Sequence, residues 1–169
     1  MEKKPFIFGV ATSGDNFTDR EKETSRLVLN FRHGVNTVLI SPRRWGKTSL
    51  VQKACRLAQS DKLKVVYIDI FSCRSDRDFY DAFASAILKQ TSSKLDEWLE
   101  HAKLFLSRIS PKISLGTDPM TDFSISLEMN PKSNEIDEIL QLPEKIAQKK
   151  GCNIVVCIDE FQQIAEFKD

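Results

Sequence analysis

Apolar positions along the chain change period several times, and each change predicts an element. Leu27 and Phe31 stand four residues apart behind Asp19, Glu21 and Glu23, the pattern of a helix capped by Asp19 with an acidic first turn. His33-Gly34 ends it. Residues 37–40 then form a short apolar β run, as expected of a fully covered central strand. The loop 41–46 leads into helix formers from Lys47 to about Ala58, with Leu50, Ala54 and Leu57 on one face. A second apolar strand is predicted over 64–70. The front of the chain therefore reads strand, loop, helix, strand: a βαβ unit.

Further on, Phe79, Phe83 and Ile87 recur at helical spacing within 78–90. Ser93 is placed to cap a helix carrying Leu95, Leu99, Ala102, Leu106 and Ile109. Over 112–129 the period drops to two. Ile113 and Leu115 alternate with polar residues, 116–122 carries turn chemistry, and Phe123, Ile125, Leu127 and Met129 alternate again, predicting an inserted β-hairpin. Pro143 cannot sit in mid-helix, so 134–150 divides into a short helix and a second one with Pro143 in its first turn, stopped by Gly151. A third core strand is expected over 153–158. No repeat or flexible linker interrupts the chain. We expect an irregular segment over 1–18 and one domain over 19–169.

Composition agrees with one ordinary domain. In 169 residues, 25 Lys plus Arg against 24 Asp plus Glu leave a formal charge of +1, with 41% hydrophobic residues. That length buries enough surface to need neither disulfides nor a structural metal. Near-neutral charge supplies no long-range field for nucleic acid or anionic lipid. Cys55, Cys73, Cys152 and Cys157 lack metal or dithiol spacing and read as reduced thiols. The apolar run 154–158 is far too short to span a membrane. Residues 5–11, which follow Lys3 and Lys4, contain Pro and Gly and make no signal core. The expected location is cytoplasmic, with no membrane partner.

The chemistry concentrates in Ile40-Ser41-Pro42-Arg43-Arg44-Trp45-Gly46-Lys47-Thr48-Ser49-Leu50, where the predicted strand enters and a helix leaves. Polyphosphate needs several N–H donors converging on one point, and a loop wrapping into a helix N-terminus supplies them with the positive end of the dipole. Gly46 permits close backbone approach. Lys47 can bridge β- and γ-phosphate oxygens, and the Thr48 hydroxyl is placed to ligate Mg²⁺. The pattern G-x-x-x-x-G-K-[ST] asks for Gly where this chain has Ser41. If that position needs φ > 0, Ser costs roughly 1–2 kcal/mol.

The run 154–158 leads straight into Asp159-Glu160. Two carboxylates at the end of a buried apolar strand are costly unless something uses them. Asp159 would hold Mg²⁺ directly or through water. Glu160 would orient the attacking water and help deprotonate it.

Together, SPRRWGKTSL at 41–50 and CIDEFQQIAEF at 157–167, with FTDREKE at 17–23 and YIDIF at 67–71, resemble the P-loop ATPases of the AAA+/STAND group, in particular the archaeal-type ATPases. The resemblance runs from Phe17 to the end of the chain. It implies a three-layer α/β sandwich with a parallel sheet, Walker A and Walker B motifs, and ATP with Mg²⁺ as ligands. The segment 17–21, including Phe17 and Arg20, would lie near the adenine, and residues 41–49 would cradle the nucleotide. It also implies strands, a sensor residue and a helical region beyond Asp169. The domain would then be incomplete at its C-terminus, with an open sheet edge that favours self-association.

Other P-loop classes lack their signatures here. No Asn-Lys-x-Asp segment reads guanine, and no LSGGQ-like segment completes an ABC ATPase. An alternative to turnover is a nucleotide-dependent switch or protein-interaction module; a third reading gives the 112–129 hairpin a protein or DNA partner. Several side chains stay open between two roles. Arg43 and Arg44 either touch phosphate or face solvent, and Trp45 either shields the nucleotide or packs the loop. Asp69 either faces the metal site or forms a turn. Gln162 and Gln163 either sense phosphate or are simply exposed.

Overall fold

The computed structural model describes residues 20–42, 44–92, 95–105, 110–115, 123–128 and 133–167. Their elements are helices α1 (Glu21–Arg32) and α2 (Lys47–Ala58), strand β1 (Leu63–Asp69), and helices α3 (Asp76–Thr91) and α4 (Leu95–Phe105). Strands β2 (Ser110–Leu115) and β3 (Phe123–Glu128), helices α5 (Ser133–Leu140) and α6 (Leu142–Lys150), strand β4 (Asn153–Asp159) and a 3₁₀ helix over Phe161–Glu166 follow.

The sheet that organises the domain is parallel and has two strands among the described residues. β1 and β4 pair from Leu63↔Asn153 to Asp69↔Asp159. Alternation along β1 sends Val66 and Ile68 to one face and Val65 to the other. The first face, continued by Ile70, is covered by Phe83, Ala84, Ile87 and Leu88 of α3 with Ala102, Ile139, Leu142 and Ile146 from α4, α5 and α6. The second meets Leu27, Val28 and Phe31 of α1 and Ala54 and Ala58 of α2. Helices on both faces make the continuous apolar runs of β1 and β4 stable in a parallel pair. β2 and β3 form a separate antiparallel pair, Ser110↔Glu128 to Leu115↔Phe123.

Local signals behave as their chemistry dictates. Ser75 caps α3 by accepting from the Asp78 N–H, His33 and Gly34 close α1, and Gly151 takes the left-handed conformation that ends α6. Pro143 sits in the first turn of α6.

Two expectations are corrected. Residues 37–40 form no paired strand: Val38 is 86% and Ile40 90% exposed. Apolar β-branched residues favour a strand only when a neighbouring edge receives their backbone, and among the described residues β4 pairs with β1 alone. Leu57 is exposed as well, and Ala58 turns inward in its place. Position 58 rather than 57 continues the stripe four residues on from Ala54. The proposed cap Asp19, the proposed cap Ser93, Leu106, Ile109, Met129 and the turn 116–122 lie outside the described residues.

Ile87 is fully buried between α3 and the sheet. Ile87→Ala should destabilise the domain by about 2–5 kcal/mol, read as a lower urea midpoint with an unchanged slope.

Candidate functional site

At the C-terminal ends of β1 and β4 the chain brings together residues far apart in sequence. The positive-φ Gly46 starts α2, with no side chain capping that N-terminus. A Cβ on Gly46 would meet no atom within 4 Å, so φ of 70° and not crowding calls for glycine there. The helix then opens on Lys47 and Thr48. β4 ends on Asp159, whose side chain is on the same sheet face as Tyr67 of β1, two positions along the parallel register.

The Asp159 carboxylate is buried and accepts from both sides. Thr48 Oγ1 donates to Oδ2 at 2.7 Å and the Tyr67 hydroxyl donates to the same oxygen at 2.8 Å. The Glu160 N–H donates to Oδ1 at 2.9 Å, and Lys47 Nζ lies 3.2 Å from that oxygen. Lys47 Nζ is also 3.9 Å from Glu160 Oε1. Burial pushes the Asp159 carboxyl up, but the bonds from Thr48, Tyr67, the Glu160 N–H and Lys47 outweigh it and hold the group below its ordinary value. Tyr67 moves the opposite way: burial first, then Asp159 and Asp69, raise its pKa, so the phenol stays protonated and keeps donating.

Backbone strain falls at the same place. Arg44 (φ 65°) and Glu160 (φ 57°) are the two non-glycine residues with positive φ among the described residues. Each costs roughly 1–2 kcal/mol, and such strain concentrates where backbone geometry serves a site. Ser41 carries none of it, so the departure from glycine at 41 brings no left-handed penalty.

The other candidates distribute as follows. Ser49 is buried directly behind Thr48. Ser41 and Lys47 help line a trough of about 770 Å³ that continues along Val38, Ile40, Val156 and Ile158 to Asp159 and Glu160. Arg20 reaches the loop from α1's N-terminus, its Nη1 donating to the Trp45 carbonyl at 2.8 Å. Pro42 and Arg44 are exposed, and Trp45 is 69% exposed and does not pack the loop. Phe17 and Arg43 lie outside the described residues. Asp69 forms a turn, its Oδ1 accepting from the Phe71 N–H at 2.9 Å. Gln163 is buried, and Gln162 donates to Glu160 Oε2. Sequence reasoning gives Tyr67 no role although it opens the YIDIF segment, because an aromatic in a β run is also the mark of an ordinary strand residue.

An open helix N-terminus bearing Lys-Thr and facing an acid at the end of a parallel strand is compatible with a P-loop α/β domain. A family model described as an ATPase domain predominantly from Archaea matches residues 17–169, and the chain belongs to that family. Its ATPase character makes this a nucleotide-binding domain. No curated protein and no solved structure gave a significant match. No described helix is long and apolar enough to cross a membrane.

The depressed Asp159 pKa has a pH consequence. The stability it contributes is complete above the ordinary Asp value of about 3.9 and is lost as pH falls through the lower folded-state value. Denaturation measured from pH 6 down to 2 should therefore show a steeper acid loss for the native chain than for Asp159→Asn.

Proposed function

We propose that the domain binds ATP with Mg²⁺ at the N-terminus of α2 and hydrolyses its terminal phosphoanhydride, as an AAA+/STAND-type ATPase. The observation that carries this reading is the meeting of Lys47 and Thr48 with Asp159, more than a hundred residues away, at hydrogen-bond and ion-pair range. A hydroxyl and a carboxylate sharing one hydrogen bond are a hard-oxygen pair of the kind Mg²⁺ takes when phosphates and waters complete its shell. Thr48 and Asp159 would hold the ion, which when bound supplies charge stabilisation to the phosphates.

The loop residues Ser41–Ser49 surround the phosphates in this reading, with Phe17 and Arg20 toward the adenine. Lys47 exchanges its carboxylate partners for phosphate oxygens, which replaces one anion by another and leaves its ammonium paired. Glu160 accepts a proton from water as the water oxygen bonds to the γ-phosphorus. The bond from that phosphorus to the β,γ-bridging oxygen breaks, giving ADP and phosphate. The place of Glu160 supports this role: it follows Asp159 directly, and its Oε1 lies 3.9 Å from Lys47 Nζ.

A second reading, a nucleotide-dependent switch with little turnover, draws on one observation. Both Glu160 carboxylate oxygens are engaged, one by Gln162 and the other near Lys47. An acid so held must be released before it can serve water.

Calorimetry with ATP and Mg²⁺ tests the binding. Lys47→Ala should weaken it by a factor of roughly 10–100, the loss of one or more charge-assisted phosphate contacts. Unchanged affinity would rule out the site. Phosphate release separates the two readings: Glu160→Gln should keep ATP affinity and cut turnover at least about 100-fold if the domain hydrolyses. Absence of phosphate release by the native chain at every protein concentration would instead identify the switch.

A further inference from the structure

We infer that Tyr67 is a positioning residue for the Mg²⁺-dependent part of nucleotide binding, holding Asp159 through its hydroxyl and linking it to α2. The inference rests on the ATP–Mg²⁺ reading above and extends it to a side chain outside the two long motifs at 41–50 and 157–167.

The observations are geometric. Tyr67 lies in mid-β1 opposite Cys157, and Asp159 is two positions further along β4 on the same face. A long side chain spans such a diagonal, and the hydroxyl reaches Asp159 Oδ2 at 2.8 Å. Thr48 donates to that same oxygen. Gln52, one turn beyond Thr48 on α2, also neighbours the phenol. Tyr67 thus takes its place in a ring of neighbours: α2 at Gln52, β1 through its own backbone, β4 through Asp159, and back to α2 through Thr48. Its main chain is pinned as well, since the Tyr67 N–H donates to Gln90 Oε1 at 2.9 Å and its carbonyl accepts from Gln90 Nε2 at 2.9 Å.

The ring has a direct physical effect. A carboxylate at a strand end turns about two side-chain torsions, and holding Oδ2 restricts both of them while Oδ1 faces Lys47 and the Glu160 N–H. Two hydroxyl donors hold it. Thr48 is the one that a Mg²⁺ ion would recruit as a ligand, leaving Tyr67 as the donor with no competing task. A group that orients a metal-site carboxylate changes metal affinity by roughly ten- to a hundredfold when removed. Phosphate capture by the loop and Lys47 does not pass through the phenol, so nucleotide affinity without metal is insensitive to it.

Tyr67→Phe keeps the ring and deletes the hydroxyl. ATP affinity is measured by calorimetry in excess EDTA and across a Mg²⁺ titration, for the native chain, Tyr67→Phe and Lys47→Ala, with urea denaturation of each. The expected result for Tyr67→Phe is an affinity in EDTA within about twofold of native and a half-saturating Mg²⁺ concentration raised about tenfold. Equal Mg²⁺ dependence in native and Tyr67→Phe chains overturns the inference while leaving the ATP site standing. Equal weakening with and without Mg²⁺ overturns it in favour of general packing. Lys47→Ala binding ATP as tightly as the native chain overturns the ATP site itself, and the role of Tyr67 with it. Should Tyr67→Phe unfold at a lower urea concentration, Gln52→Ala, which removes the far neighbour in the same ring from a half-buried helix position, must show the same selective Mg²⁺ effect at reduced size; its absence overturns the inference.

Discussion

A buried carboxylate has to be satisfied, and the corner of this domain is arranged around the one at Asp159. Taking that charge out of water is costly unless donors replace the water. Four do, from three parts of the chain: Lys47 and Thr48 at the start of α2, Tyr67 in β1, and the N–H of Glu160. Each donor also ties an element down. The register of β1 against β4 puts Tyr67 within reach, and the packing of α1 and α2 on the second face of the sheet holds the α2 N-terminus over the strand ends. The acid lies below its ordinary pKa because these bonds together exceed the burial that would neutralise it.

The same arrangement explains why strained backbone and charge coincide. Turning the chain from loop into α2, and from β4 into the 3₁₀ helix, requires left-handed residues at Arg44, Gly46 and Glu160. Glycine takes one of these positions without penalty, and the other two accept it. The two sharp turns face each other across the ion pairs of Lys47, so the basic and acidic halves of the site approach without either being drawn deep into the apolar core. The larger core lies under the opposite face of the sheet, among α3, α4, α5 and α6. The site is therefore built on one face and braced from the other.

Much of this was legible beforehand. Helical periodicity located α1, α2 and α3, the Pro143 and Gly151 signals divided and ended the later helices, and the apolar runs located β1 and β4. The loop motif and the Asp-Glu pair named Lys47, Thr48, Asp159 and Glu160, because few other reasons exist for such residues at a helix start and a strand end. Failures occurred where the outcome depends on a neighbour. Residues 37–40 have the composition of a covered strand yet are largely exposed, since strand formation needs a paired edge as well as β-branched residues. Trp45 was compatible with packing the loop as well as with shielding a nucleotide, yet it is exposed and does not pack the loop, and Asp69 was as compatible with a metal site as with the turn it makes.

The sequence by itself determined the periodic elements, the membership in an ATPase family and the chemical types available for phosphate and metal, because these depend on local spacing and residue identity. Only the tertiary structure decided which acid meets which base. Tyr67 shows the difference most plainly. Nothing within several residues of it hints at Asp159, 92 positions away, and only the parallel register of β1 and β4 creates the diagonal that lets its hydroxyl reach the carboxylate. Left-handed backbone at Arg44 and Glu160 was hidden in the same way, since residues that disfavour it adopt it only when the surrounding fold requires it.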